Sequence, residues 1–215
     1  MKALVTGSSA GIGLAVVREF LDRGCRVVGL DLRPAGLEHP DYTHIQTDIL
    51  TGELPEIPDL DILVNNAGVQ DSGRDIDVNL KGTMRITEKY AFHQGIRSVL
   101  FMASASARTG AEFPEYAASK GGMVAYMKNV AARLAPYGAT ANSLSPGGVL
   151  TDLNAHIMGD PALWEAVLNE TTLHKWATAE EIAQWAWFVT AVNRSMTGQD
   201  LLIDNGEAGK FNFIW

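Results

Sequence analysis

Apolar and polar positions along this chain follow two rhythms that take turns. Lys2–Val5 is a short apolar run that stops at Thr6 and gives way to a glycine-rich turn, Thr6–Gly13. From Ile12 to Arg23 the apolar residues Leu14, Val16, Val17, Phe20 and Leu21 recur at helical spacing, and Gly24 ends the helix. Arg26–Leu30 returns to the pattern of a buried strand and closes on Asp31. A strand, a helix and a strand in roughly the first 30 residues call for parallel pairing through a right-handed crossover.

The same alternation continues to the end. Tyr42–Gln46 and Asp61–Val64 read as the next two strands. Pro34, Pro40, Pro55 and Pro58 sit in the segments around them, so neither connection holds a long helix. Ile76–Phe92 is predicted helical, with Ile76, Leu80, Met84, Ile86 and Tyr90 facing inward. Ser98–Met102 is a strand, Tyr116–Leu134 an alanine-rich helix closed by Pro136 and Gly138, and Thr140–Leu144 a strand leading into Pro146-Gly147-Gly148. After an irregular stretch, Ala179–Val189 is a helix with Thr178 as its N-cap and Glu180 and Glu181 in the first turn. Leu201–Ile203 is the last strand. The expected architecture is α/β: a doubly wound parallel sheet with helices on both faces. With 215 residues and no linker or repeat, 1–215 is expected to be one domain with an integral lid at about 152–177.

Composition narrows the partners. Hydrophobic residues make up 47% and charged residues 20%, a globular mix, and the formal charge of −8 comes with no basic stripe. Nucleic acid and anionic membrane are therefore not expected partners. Cys25 is the only cysteine, predicted to be a buried inert thiol, and no Cys/His cluster suggests a metal. Thr6, Gly7 and Ser8 break the first apolar run too early for a signal peptide, and no apolar stretch is long enough to span a bilayer. The expected compartment is cytoplasmic.

Candidate chemistry gathers at the ends of the predicted strands. Gly7-Ser-Ser-Ala-Gly11-Ile-Gly13 follows a strand and opens a helix, where glycine permits close backbone approach and free N–H groups attract phosphate. Asp31, 18 residues beyond Gly13, is placed to accept hydrogen bonds from ribose hydroxyls. Asp48 can meet an adenine amino group, and the small residues of Asn65-Asn66-Ala67-Gly68 admit a nucleotide beside the backbone. Tyr116-Ala-Ala-Ser-Lys120 puts a phenol and an ammonium on one helix face. A free phenol has a pKa of about 10 and is a poor base near neutrality, but a nearby cation favours its ionised form. Such a pair alone is a common accident of helix surfaces. Here Ser104 follows the preceding strand, where α/β ligands bind, and its hydroxyl can donate to a substrate oxygen. Asn79 lies on the intervening helix and can orient a water.

Together these motifs resemble the short-chain dehydrogenase/reductase family. Thr6-Gly7-x-x-x-Gly11-x-Gly13, Asn65-Asn66-Ala67-Gly68, Asn79, Ser104, Tyr116-x-x-x-Lys120 and Pro146-Gly147-x-x-x-Thr151 occur in that family's order, and Thr197-Gly198-Gln199 with Asp204-Asn205-Gly206 looks like its closing strand. The likeness runs from residue 2 to about 206. It implies a Rossmann sheet of about seven strands, NAD as cofactor and a secondary alcohol or ketone as substrate. It also implies an Asn79-Ser104-Tyr116-Lys120 tetrad, with Tyr116 as general acid/base, and a homodimer or homotetramer built partly from the helices carrying Asn79 and Tyr116. Cofactor contacts carried over by the likeness are Gly7, Ser9, Gly11, Ile12, Gly13, Asp31, Leu32, Asp48, Ile49, Asn66, Ala67, Gly68, Tyr116, Lys120, Pro146, Gly147, Val149 and Thr151. NAD rather than NADP rests on Asp31.

Several features depart from the family pattern. Only ten residues separate Gly68 from Asn79, where relatives carry a longer segment with its own helix. Ser104 precedes Tyr116 by twelve residues, one fewer than usual, which puts Ala103 at the usual position and leaves Ser104 or Ser106 as the serine; Ser104 sits better against the strand end. Within the lid, Leu153, His156, Met158, Leu163 and Trp164 can form an apolar wall opposite Phe113, or simply cover the sheet edge. The apolar Phe211–Trp215 end suits either core packing or a subunit contact. Two other functions fit parts of the pattern. A non-catalytic NAD-binding regulator has no need of the Tyr116/Lys120 pair. A sugar-nucleotide epimerase usually carries a larger carboxyl-terminal domain than this sequence provides.

Overall fold

The computed structural model describes residues 1–111 and 113–210. The strands are β1 (Lys2–Thr6), β2 (Arg26–Asp31), β3 (Tyr42–Gln46), β4 (Ile62–Asn65), β5 (Ser98–Met102), β6 (Thr140–Pro146), β7 (Val149–Leu150), β8 (Ala177–Thr178) and β9 (Asp200–Ile203). All but β7 and β8 join one seven-stranded parallel sheet, in the order β3-β2-β1-β4-β5-β6-β9. The two-residue strands β7 and β8, not foreseen in the sequence, pair with each other.

Side-chain alternation explains why the strands read as unbroken apolar runs. Ala3 and Val5, Ile62 and Val64, and Leu100 and Met102 pack on one face; Leu4, Leu63, Val99 and Phe101 pack on the other. Both faces are covered by helices, so both sets must be apolar. The first face is covered by α1 (Gly11–Asp22) and α7 (Ala179–Trp187), where Phe20 meets the edge of Trp187 at 5.4 Å between centroids. On the second, α2 (Thr83–Tyr90) and α4 (Pro114–Leu134) contribute Ile86, Tyr90, Met123, Met127, Val130 and Leu134.

Neither connection flanking β3 contains a helix, as the prolines implied. Ile49 and Leu60, with Leu54 and Ile57 beside them, fill the second face instead. Arg85 holds this segment by donating to the Ile49 and Gly52 carbonyls at 2.9 and 2.7 Å.

The helix expected over Ile76–Phe92 differs in detail. Ile76–Gly82 is π-helical and runs into α2. A π turn takes more residues than an α turn, so the inward row shifts. Asp75, Asn79, Thr83, Ile86, Thr87 and Tyr90 are buried, while Met84, predicted inward, is 38% exposed. Much of that row is polar: Thr87 Oγ1 donates to the Thr83 carbonyl at 2.8 Å and accepts from Asn65 Nδ2 at 3.0 Å.

Between β7 and β8, where an irregular stretch was predicted, the chain forms a 3₁₀ turn (Asp152–Asn154), α5 (Ala155–Met158) and α6 (Pro161–Glu170). Asp160 caps α6 by accepting the Ala162 and Leu163 N–H groups at 3.0 and 3.1 Å, with Pro161 in the first turn. Cys25 is buried as expected. The Phe211–Trp215 end lies outside the described residues.

Candidate active site

The sheet order reverses between β1 and β4, so crossovers leave in opposite directions and a crevice opens at their carboxyl ends. Gly7 and Gly11 turn there with φ of +68° and +53°, a region that side chains disfavour. A Cβ on Gly13 would drive into the Gly7 carbonyl and the Asn66 amide. Asn66 locks the turn to β4, its Nδ2 donating to the Thr6 and Gly7 carbonyls at 3.0 and 3.1 Å. Thr6 Oγ1 accepts the Asn66 and Ala67 N–H groups, both at 3.0 Å. The α1 N-terminus that follows carries Ile12 in its first turn. Ala10 gives it no side-chain cap, and no acidic residue occupies that turn. Uncapped N–H groups beside glycine backbone suit a pyrophosphate.

Asp31 is buried at the end of β2. Its Oδ2 accepts the Ser9 N–H at 2.9 Å and its Oδ1 the Arg33 N–H at 2.9 Å, with Arg33 Nε 3.6 Å away. Leu32 beside it is 64% exposed. From β3, Gln46 Nε2 donates to the Leu32 carbonyl at 2.8 Å, and His44 Nε2 meets the Arg33 carbonyl at 2.9 Å. These two positioning side chains escaped the sequence reading because polar residues on an edge strand look solvated. Asp48 closes its own turn instead of standing free: it accepts from the Leu50 N–H at 2.7 Å and the Thr51 hydroxyl at 3.0 Å. The Leu50 N–H is the main reason its carboxyl is held below the ordinary range. Ile49 is buried and its carbonyl is taken by Arg85.

The second cluster is built from β5, the π-helical stretch and α4. Lys120, on α4, is buried and donates to the Met102 carbonyl at 2.8 Å. Its ammonium lies 5.6 Å from the Tyr116 ring centroid. Burial brings the Lys120 pKa down to about 8, partly opposed by the negative charge of Asp75. Ser104, between β5 and the short helix α3 (Ser106–Thr109), accepts the Ser106 N–H at 3.2 Å, and the two hydroxyls are 3.2 Å apart. Asn79 is fully enclosed. It accepts the Val69 N–H at 2.8 Å and donates to the Val69 carbonyl at 2.9 Å and to Ser119 Oγ at 3.0 Å. A Cβ on Gly68 would sit 3.0 Å from Asn79 Oδ1 and 3.4 Å from Lys120 Nζ. Ser119 was within the Tyr-Ala-Ala-Ser-Lys motif but unassigned; its place one residue before Lys120 was the available signal.

Two adjoining cavities join these clusters. The smaller, about 110 Å³, is lined by Ile12, Pro146, Gly147, Val149 and Thr151 together with Ser104 and Tyr116. The larger, about 400 Å³, continues from Ser104 and Tyr116 past Ser106 and Phe113 to Leu153, His156, Ile157 and Trp176. Gln70 and Asn154 border both. The expected apolar wall is only partly found. Met158, Leu163 and Trp164 do not line the cavity, whereas Asp71, Glu170 and Glu207 do. Trp164 instead packs edge-on against Trp176 at 5.1 Å. Among the described residues no group of three or more His, Cys, Asp or Glu side chains forms a metal cluster, and no helix is long and apolar enough to cross a membrane.

The family model described as enoyl-(acyl carrier protein) reductase matches residues 47–207. D-threitol dehydrogenase of Mycolicibacterium smegmatis is 30% identical, over 95% of this chain and 91% of its own length. The 3-oxoacyl-[acyl-carrier-protein] reductase of Salmonella typhimurium is 28% identical, over 95% and 96%. A solved structure from Agrobacterium tumefaciens, described as a 2-deoxy-D-gluconate 3-dehydrogenase with bound NADP, superimposes with a TM-score of 0.83. It has 27% identity, covering 97% of this chain and 96% of that one. A 4-hydroxyisoleucine dehydrogenase complexed with NADH shares the fold at a TM-score of 0.84 and 23% identity, over 97% and 99%. With its seven-stranded parallel sheet and a family model spanning most of its length, the chain belongs to the short-chain dehydrogenase/reductase family of oxidoreductases.

Proposed function

We propose that this protein interconverts a small secondary alcohol and its ketone, using NAD in preference to NADP. The observation that carries this reading is the meeting of Ser104 and Tyr116 in one cavity wall, with the Lys120 ammonium beside the Tyr116 ring and the glycine turn next door. When bound, NAD supplies the hydride acceptor or donor. Gly7, Ser9, Gly11, Ile12 and Gly13 hold its pyrophosphate side, while Asp31 and Leu32 flank the adenosine ribose. Asp48 and Ile49 offer mainly backbone to the adenine, since their turn engages the Asp48 carboxylate. Asn66, Ala67 and Gly68 form the floor, and Pro146, Gly147, Val149 and Thr151 face the carboxamide.

Tyr116 Oη takes the alcohol proton during oxidation and returns it during reduction. Lys120 favours the phenolate by its charge and binds the nicotinamide ribose. Ser104 donates to the substrate oxygen as alkoxide character develops. Asn79 fixes the backbone at Val69 and, through Ser119, the helix that carries Lys120, supporting a proton-relay water. The three carboxylates of the larger cavity, among apolar neighbours, favour an uncharged hydroxylated substrate over an anionic one. The chain is one domain whose segment 152–177 is the substrate lid, and it works as a cytoplasmic homodimer or homotetramer. The test is a panel of secondary alcohols with NAD, read by reduced-cofactor fluorescence. Turnover that Tyr116→Phe abolishes is expected; turnover that this variant retains overturns the assignment.

A further inference from the structure

Gln70 has no part in that scheme, yet it borders both cavities. It sits in the short connection between Gly68 and Asn79, where the chain is held on either side of it. Before it, Asn79 takes both backbone groups of Val69, accepting the N–H at 2.8 Å and donating to the carbonyl at 2.9 Å. After it, Asp75 accepts the Asp71 N–H at 3.0 Å and the Ser72 N–H and hydroxyl at 2.9 and 3.0 Å. Neither Asn79 nor Asp75 has any exposed surface. Asp71 turns the chain with a φ of +52°, a conformation that persists only where its surroundings impose it. The residue between these two buried clamps is Gln70.

Among the described residues, those that border both cavities are Gln70, Ser104, Tyr116, Gly147, Leu153 and Asn154. Ser104 and Tyr116 are assigned to the reacting oxygen, and Gly147 and Leu153 bring no polar side chain. Asn154 commits its Nδ2 to the Val149 carbonyl at 2.8 Å. Gln70 is half-buried, and its amide has no hydrogen-bond partner among the described residues. A carboxamide offers two donors and an acceptor, and leaving them unmatched once substrate displaces water is costly. It therefore calls for a second polar group on the substrate. That group lies close to the first, because Gln70 meets the same space of about 110 Å³ as Ser104 and Tyr116. It is also uncharged. No lysine or arginine is found among the described residues lining either cavity, while Asp71, Glu170 and Glu207 line the larger one. A carboxylate or phosphate would meet like charge with no cation to offset it. A hydroxyl or carbonyl suits the amide without that repulsion.

We propose that Gln70 is a specificity-determining residue that hydrogen-bonds an uncharged oxygen on the carbon beside the reacting one, so that the substrate is a vicinal diol and the product its α-hydroxyketone. This rests on the reading of Ser104 and Tyr116 as the groups that hold the reacting oxygen. During oxidation one carbinol gives its carbon-bound hydride to NAD and its hydroxyl proton to Tyr116. Its neighbour stays a hydroxyl, held by Gln70.

The test compares 2,3-butanediol with 2-butanol, and trans-1,2-cyclohexanediol with cyclohexanol, on the parent and on Gln70→Met. Methionine keeps the length of the side chain and removes its hydrogen bonding; Gln70→Ala should read the same. In the parent, kcat/KM should favour each diol by about tenfold, the scale of one well-made hydrogen bond. In Gln70→Met the preference should fall to near unity. Ligand-observed NMR with NAD present makes the same comparison as dissociation constants, without turnover, and should show the same tenfold difference and its loss. NAD affinity should stay at the parent's value. Diols and mono-alcohols that bind the parent equally, or not at all, overturn the proposal, as does a preference that Gln70→Met retains. A fall in NAD affinity matching the lost preference would assign Gln70 to the nicotinamide and overturn it too. Preferential diol binding without turnover would count against the proposed function and leave this inference standing. Turnover of both alcohols with no preference for the diol would do the reverse.

Discussion

Lys120 holds its ammonium 5.6 Å from the centroid of the Tyr116 ring, one turn further along α4, while donating to the Met102 carbonyl at 2.8 Å. The pair separates two effects that mutation can resolve. Tyr116→Phe keeps the ring and removes only the hydroxyl, so kcat should fall by about 10²–10⁴-fold with cofactor affinity near the parent's. Lys120→Ala should weaken cofactor binding as well. It also strands the buried Met102 carbonyl, at a cost to folding of about 1–3 kcal/mol. Steady-state kinetics, fluorescence titration of cofactor and thermal melting read the three effects. A Lys120→Ala protein with the parent's cofactor affinity would remove the lysine from the ribose.

Ser104 and Ser106 line the same cavity with hydroxyls 3.2 Å apart, so only function distinguishes them. Ser104 also borders the smaller cavity beside Pro146 and Thr151; Ser106 does not. Ser104→Ala should therefore lower kcat by about 10²-fold, the scale of one lost oxyanion donor, and Ser106→Ala by far less. The reverse ranking would hand the substrate oxygen to Ser106.

The sequence pattern was readable wherever one physical demand acted alone. Strands buried on both faces must be apolar throughout, so Lys2–Thr6 and Ser98–Met102 were plain. The glycine turn was plain because Gly7 and Gly13 have no space for a side chain. The stretch around Asn79 was misread because its inward row is polar and its turn is π-helical, which put Met84 outside. Asp75 and Ser119 stayed hidden for a related reason: a fully buried polar residue looks like a solvated one in sequence. The helix α6 was missed and read as irregular, although Asp160-Pro161, an N-cap followed by proline, was an available signal.

Thr178 and Glu181 form a reciprocal cap on α7. Thr178 Oγ1 accepts the Glu181 N–H at 3.1 Å, and Glu181 Oε2 accepts the Thr178 N–H at 2.9 Å. Thr178→Ala should cost about 1 kcal/mol of stability. The Glu181 carboxyl is held below its ordinary range, chiefly by Lys175 and then by the Thr178 N–H. A lowered folded-state pKa stabilises the protein above the unfolded value near 4.5, and that contribution is lost as pH falls through the folded value. The stability difference between the parent and Glu181→Gln should therefore be present at pH 7 and shrink below pH of about 4. A difference that stays constant on acidification would show that the charge has no part in the cap.

Trp176 lies flat against Gly148, so a Cβ there would penetrate the indole. A ring packed edge-on by Trp164 cannot swing away freely. Gly148→Ala should cost about 1–3 kcal/mol, the usual range for overpacking. In a Trp176→Ala background the same substitution should cost much less. Equal costs in both backgrounds, measured by chemical denaturation, would show that Trp176 is not what excludes a side chain at 148.

The proposed preference for NAD rests on what Asp31 already does. Its two oxygens accept the Ser9 and Arg33 N–H groups, both at 2.9 Å, and Arg33 Nε stays within 3.6 Å. The carboxylate is thus fixed at the strand end, where a ribose 2′-hydroxyl can donate to it. A 2′-phosphate at that point would face a like charge that two backbone bonds prevent from turning away. On the proposed preference for NAD, selectivity would come from repulsion of NADP as much as from attraction of NAD. Arg33 is the opposing influence, since a guanidinium pairs well with phosphate. Its main chain is held by Asp31 and by His44, so in the parent it would have to leave a carboxylate to meet the phosphate. Asp31→Ala removes the repulsion and frees Arg33 together. The ratio of kcat/KM for NADP to that for NAD should rise by about tenfold or more, where 1.4 kcal/mol corresponds to each factor of ten. Adding Arg33→Ala to that variant should cancel most of the gain. A parent enzyme as efficient with NADP as with NAD would overturn the preference, and an Asp31→Ala variant with an unmoved ratio would remove Asp31 as its cause.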